Sequence, residues 1–170
     1  MAPVIETDRL LLRQFVVEDS LPLARILSDP ETMRFYPAPL DDSGVLDWIT
    51  RNQTRYQKDG HGLWAMVSKT TGELVGDSGL IRQEVDGNVE IEIGYHLRRD
   101  LWAKGLASEA ARACRDYGFA QLKANRLISL IRPENLPSRR VAERIGMVLW
   151  KQVMWRGLPH DVFDVVRSAA

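Results

Sequence analysis

The residues best placed to do chemistry lie in one stretch, 90–120, which reads EIEIGYHLRRDLWAKGLASEAARACRDYGFA. Glu90 and Glu92 alternate with Val89, Ile91 and Ile93, the spacing of a β-strand, so both carboxylates project from one face. A polar turn then delivers the short loop Lys104-Gly105-Leu106-Ala107 into an alanine-rich helix. The first turn of a helix leaves backbone N–H groups without intrahelical partners at its positive end, and a glycine there lets a ligand approach closely; the combination suits a phosphate. On pattern alone, a plain strand-to-helix turn is an equally good reading. Neither G-x-x-x-x-G-K-[ST] nor G-x-G-x-x-G after a strand is present, which argues against the two familiar nucleotide loops. Cys114 falls in the helix interior among alanines and reads as packing. His61, His96 and His160 are too scattered to suggest a metal site, and none is expected.

The elements that must hold these groups can be read in chain order. Residues 4–15 alternate around Leu10, Leu12 and Phe15 and predict a first strand. Glu18-Asp19-Ser20 offers caps for an amphipathic helix through Leu27, and a short helix over 31–34 can follow Pro30. A second helix runs from a cap at 41–43 to about Lys58, ended by Gly60 and Gly62. Strands are predicted at 63–68, 73–80 and 89–97, with Gly76 and Gly79 indicating close backbone packing or a bulge. The helix 106–122 leads to a strand at 127–131, a helix opened by Asn135-Leu136-Pro137-Ser138 and ended by Gly146, and strands near 148–155 and 161–166. The order predicts an α/β (α+β) domain: a mostly antiparallel sheet of about seven strands flanked by helices on both faces. One parallel crossover surrounds the 106–122 helix.

The whole composition narrows the function classes. At 170 residues the chain suits one domain, 1–170, with a substantial core. Its 23 basic and 23 acidic side chains cancel, so no global field favours nucleic acid or an anionic membrane. One cysteine excludes an internal disulfide framework, and no apolar run approaches the length of a spanning helix. The N-terminus lacks the apolar core of a signal peptide, so a cytoplasmic location is expected.

A resemblance sharpens this. EIGYHLRRDLWAKGLASEAARA closely resembles the acetyl-CoA signature of the GNAT N-acetyltransferase superfamily. More narrowly, it is similar to the subgroup containing ribosomal-protein N-terminal (alanine/serine) acetyltransferases. TDRLLLRQF resembles that subgroup's first strand, GELVGDSGL its third, and NLPSRRVAERIGM its asparagine-to-serine segment, so the likeness runs from 6 to about 166.

The resemblance implies the GNAT fold and direct transfer of an acetyl group from acetyl-CoA to a primary amine, either a peptide N-terminus or a small amine, without a covalent enzyme intermediate. A second class of reading is an idle GNAT module that binds acyl-CoA as a sensor or partner. In the family, pyrophosphate rests on the loop's backbone amides, which here are those of Trp102, Ala103, Lys104, Gly105, Leu106, Ala107 and Ser108. Trp102 stands where Arg or Gln is common and Ala103 replaces a frequent glycine; Trp102 is read as packing beside the loop. Tyr95, His96 and Leu97 match the splayed strand that pairs with pantetheine, and the Leu97 amide matches the group that polarises the thioester carbonyl. Asn135 matches an asparagine on the pantetheine arm; its other reading is an Asx turn. Arg140 and Arg144, with Lys104 and Arg139, are candidates for the CoA 3′-phosphate, and at least one of these arginines is expected to be plain helix surface. Glu92 is preferred over Glu90 or water as the base, against a reading as a solvated sheet charge. Ser138 matches a serine near the CoA sulfur and equally suits a helix N-cap. The resemblance admits a homodimer, which nothing in the residues requires.

Overall fold

The computed structural model describes residues 1–169. Its elements in order are β1 (Ile5–Glu6), β2 (Leu10–Arg13), α1 (Ser20–Leu27), α2 (Asp42–Asp59), β3 (Leu63–Ser68), β4 (Leu74–Val85), β5 (Asn88–Leu97), α3 (Leu106–Ala120), β6 (Arg126–Ile131), α4 (Leu136–Arg144), β7 (Val148–Trp155) and β8 (Leu158–Val166). The strands form one eight-stranded sheet in the order β1-β2-β3-β4-β5-β6-β8-β7. Every neighbouring pair is antiparallel except β5 and β6, which flank α3 and run parallel as expected.

The count is eight and not about seven because the expected first strand is a hairpin. Ile5 pairs with Leu12, and the chain reverses at residues 7–10. Thr7 closes that turn twice, its N–H donating to the Leu10 carbonyl at 2.9 Å and its hydroxyl accepting from the Leu10 N–H at 3.0 Å. Continuous alternation hid the break, because Thr and Asp fit a strand period as readily as a turn. The short helix expected over 31–34 is likewise not helical but a run of turns.

The helices lie on both faces, and β4 shows which is where. Adjacent strand positions point to opposite sides. Asp77 accepts a hydrogen bond from Trp48 on α2, whereas the Ser78 hydroxyl lies 3.5 Å from Cys114 Sγ on α3. The α2 helix starts where the Asp41 carboxylate accepts from the Gly44 N–H at 2.7 Å. It buries the stripe Val45, Ile49, Asn52 and Tyr56 and ends at Gly60 in the left-handed region. The α3 helix buries Leu106, Ser108, Ala110, Ala111, Cys114 and Gly118, mostly small side chains that bring it close to the sheet. Trp64 is core, packed edge-on to Tyr117.

Gly76 shows how tightly the centre of the sheet is built. A Cβ there would stand 2.2 Å from the His96 carbonyl oxygen, and the register of β3 on β4 shifts between Met66 and Val67 beside it. Close packing and a bulge therefore coexist at the place where the strand reading found glycine.

Candidate active site

The site begins where β5 and β6 part. Their ladder has a single pair, Glu92 with Ile128; beyond it side chains bridge the gap, with Ser129 Oγ donating to the Ile93 carbonyl at 3.0 Å. The Arg98 N–H donates to Val75 on the β4 side, so by alternation the Tyr95 and Leu97 amides face away from β4 and into the split. The Leu97 carbonyl, on the same side, accepts from Trp102 Nε1 at 2.8 Å. Trp102 is thus more than a packing residue: it ties the loop before α3 to the end of β5.

That loop turns through two left-handed residues, Ala103 at φ 61° and Gly105 at φ 80°. Glycine is free in that region, whereas an L-residue is strained by roughly 1–2 kcal/mol. A tertiary brace holds the turn. Glu109 in the first turn of α3 accepts from the Thr7 hydroxyl at 2.6 Å, the Arg9 amide at 2.9 Å and Arg9 Nε at 2.6 Å. Arg9 Nη1 in turn donates to the Lys104 carbonyl at 2.9 Å. The reversal at 7–10 therefore exists to reach the loop. No reading of the sequence singled out Thr7, Arg9 or Glu109, because their link spans 100 residues.

Around this turn lies a cleft of about 380 Å³. One wall is Tyr95, His96 and Leu97 with Trp102, Ala103, Gly105, Leu106, Ala107 and Ser108; another is Asn135, Ser138, Arg140 and Arg144 on α4. The structure so brings together nearly all the residues picked out in sequence. Two stand apart. Lys104 is exposed and outside the lining, contributing its carbonyl to Arg9. Glu92 is also outside the lining, although it shares a strand face with His96. Arg139 is the arginine that belongs to the helix surface, paired with Glu143 at 2.8 Å.

Several groups at the cleft are poised for a partner. The Ser108 hydroxyl is buried and makes no hydrogen bond among the described residues, at the positive end of a 15-residue helix. Asn135, and not Ser138, is the N-cap of α4, accepting from the Ser138 N–H at 3.2 Å. Ser138 sits inside the first turn, its carbonyl accepting from the Tyr95 hydroxyl at 2.9 Å. Burial raises the Tyr95 phenol, holding it protonated.

Glu92 is not the solvated sheet charge that the alternative reading described. Its carboxylate accepts from Gln83 Nε2 at 2.8 Å and the Leu130 N–H at 3.4 Å, spanning the mouth of the split. Loss of hydration raises its pKa against those hydrogen bonds. His160 and Asp161 are buried. No group of three or more His, Cys, Asp or Glu among the described residues is arranged to hold a metal ion, and no helix among them is long and apolar enough to cross a membrane.

A parallel strand pair split beyond one rung, with a left-handed turn feeding a helix N-terminus beside the split, leaves a cleft edged by backbone amides. Residues 9–148 match the GNAT acetyltransferase domain, and the chain belongs to that family. It is 37% identical over 159 residues to the Bacillus subtilis protein YkkB, covering 93% of this chain and 92% of that one. It is 38% identical over 136 residues to the uncharacterized N-acetyltransferase p20 of Bacillus licheniformis, covering 78% and 75%. Among solved structures, an acetyltransferase from Agrobacterium tumefaciens superposes with a TM-score of 0.85 at 26% identity, covering 98% of this chain and 96% of that one.

Proposed function

We propose that the protein transfers the acetyl group of acetyl-CoA to a primary amine, a peptide N-terminus or a small amine, with no covalent enzyme intermediate. The observation that carries this is the split of β5 from β6, with the Leu97 amide facing into it and running on to the Ala103–Gly105 turn and the free amides of α3. The residues fit the cofactor. The turn and the amides of residues 103–108 present donors for pyrophosphate, the Trp102 amide being bonded to the Arg99 carbonyl, and the buried, unpartnered Ser108 hydroxyl adds another. Arg140 and Arg144 bring positive charge to the same cleft for a phosphate further out. Acetyl-CoA, once bound, supplies an activated thioester.

The chain's own groups then have three tasks. The Leu97 N–H stabilises negative charge on the thioester oxygen. Ser138, lining the cleft at the start of α4, offers its hydroxyl to the departing sulfur. Glu92, on the sheet face turned toward α2, draws in the ammonium form of the acceptor. Cys114 has no part: it is fully buried, and burial pushes its thiol up to about 12.

Calorimetry with CoA, and free-thiol release from acetyl-CoA with a panel of free-N-terminal peptides and small primary amines, test the proposal. CoA binding with amine-dependent thiol release is expected. Binding without turnover would make the chain an acyl-CoA-binding module, and no binding would overturn the reading altogether.

A further inference from the structure

The sheet face turned toward α2 carries a polar chain that the three tasks above leave unused. Asp77 on β4 and His96 on β5 stand opposite each other in register, and Asp77 has no exposed surface. Trp48 on α2 donates its Nε1–H to one oxygen of Asp77 at 2.8 Å, and His96 Nδ1 lies 2.7 Å from the other. A carboxylate accepts, so Nδ1 carries the proton and the neutral ring's lone pair lies on Nε2. That Nε2 is buried and has no hydrogen-bond partner among the described residues. The ring nonetheless lines the cleft, one residue before the Leu97 amide. Tyr36, also in the lining, sets its ring against the imidazole at a tilt of 42° with centroids 5.1 Å apart, and Trp48 meets it edge-on at 5.4 Å.

Leaving a buried nitrogen unsatisfied is unfavourable, and buried polar atoms are almost always paired. Here α2, β4 and β5 all hold one imidazole so that its free lone pair has a fixed place at the cleft. Glu92, by contrast, has both oxygens engaged by Gln83 and Leu130 and lies outside the lining. We infer that the His96 imidazole is the base that takes the proton of the acceptor amine, with Asp77 and Trp48 as its positioning residues. The inference rests on the acetyl-transfer reading above. The amine enters beside Tyr36, displacing its ring from His96, and Glu92 supplies the charge that attracts it.

The atoms balance. The ammonium group gives one proton to Nε2, and the Asp77 carboxylate stabilises the resulting imidazolium. The freed lone pair forms the C–N bond, and the carbonyl pair moves to the oxygen facing the Leu97 amide. That pair returns as the C–S bond breaks, and the sulfur leaves with the bonding electrons. The nitrogen's second surplus proton passes to that sulfur, and the imidazolium releases its own to solvent. The products are an amide, a free thiol and one proton.

The test compares wild type, H96Q and D77N for thiol release with the same amine panel, for CoA affinity, and for imidazole ¹⁵N shifts by NMR. H96Q is expected to lose about 100-fold or more in kcat while binding CoA within about twofold of wild type. D77N keeps the shape but removes the charge that stabilises the imidazolium and the oxygen that fixes the Nδ1–H tautomer, so it should lower kcat with CoA affinity unchanged and give ¹⁵N shifts of a mixed tautomer. The titratable groups facing the ring are Asp77 from β4, Tyr36 from the loop and Glu92 on its own strand, and only the first changes in D77N. In wild type the shifts of the neutral ring should show the proton on Nδ1 and Nε2 bare, a readout independent of turnover and of any folding defect in a variant. Thiol release by wild type on no amine overturns the acetyl-transfer reading. Release that H96Q retains in full, or a ring protonated at Nε2, overturns only the base.

Discussion

Replacing Glu109 by glutamine keeps its shape and removes its charge, which isolates the brace behind the loop. Oε1 accepts from the Thr7 hydroxyl and the Arg9 amide, and Oε2 from Arg9 Nε. A carboxamide has one accepting oxygen and one donating nitrogen, so one of these two groups of donors meets another donor. A hydrogen bond to a charged group contributes about 1.5–3 kcal/mol. The Arg9 side chain is 49% exposed, so solvent screening brings the expectation for E109Q down to about 1–2 kcal/mol at pH 7. For a chain of this length that is a fall in Tm of about 3–6 °C.

The pH dependence has a definite sign. Loss of hydration raises the Glu109 pKa, but the Thr7 hydroxyl, the Arg9 amide and the Arg9 guanidinium together hold it below the ordinary value. A carboxylate depressed in the folded state stabilises the fold above its unfolded pKa of about 4.3, and that stability is lost as pH falls through the folded value. Urea unfolding of wild type and E109Q should therefore show a gap that is flat above about pH 5 and closes below about pH 4. Because Arg9 also grips the Lys104 carbonyl, CoA affinity should fall in the same variant. A gap under about 0.5 kcal/mol at pH 7, or one that widens in acid, would refute the brace.

Two further outcomes follow from the same geometry. N135A removes the α4 cap and should destabilise by about 1 kcal/mol in chemical denaturation, whereas S138A should leave stability nearly unchanged while slowing thiol release. With its thiol pushed up to about 12 and fully buried, Cys114 should resist alkylation at pH 8 in the folded protein and react promptly in urea, which a timed thiol assay reads directly.

Much of the cofactor side of the cleft was legible because its determinants are local. Residues 95–108 are contiguous, and a strand end, a turn and a helix N-terminus are each read from neighbours a few residues apart. The α4 segment is as compact, although local chemistry does not choose its cap: Asn135 and Ser138 both suit that place, and the backbone puts the first there. The acceptor side was far less visible. Asp77 carried one usable signal, a charged residue on the same strand face as Val75 in an otherwise apolar run, hence a buried charge in need of a partner. Nothing local named that partner as His96, or the indole of Trp48 as the second donor.

What the sequence by itself determined is the order of elements, their approximate bounds, the glycine-bearing turn into an alanine-rich helix, and through its motifs the family. These depend on short-range periodicity and on residue types that admit few conformations. Tertiary structure alone decided that the N-terminal strand reverses to brace the loop and that Trp48, Asp77 and His96 meet on the face away from α3. The side-chain contacts concerned span 19 to 102 residues of chain and are set by sheet register and helix docking. A register shift of one residue would carry His96 to the other face and dissolve the dyad without changing a single local signal.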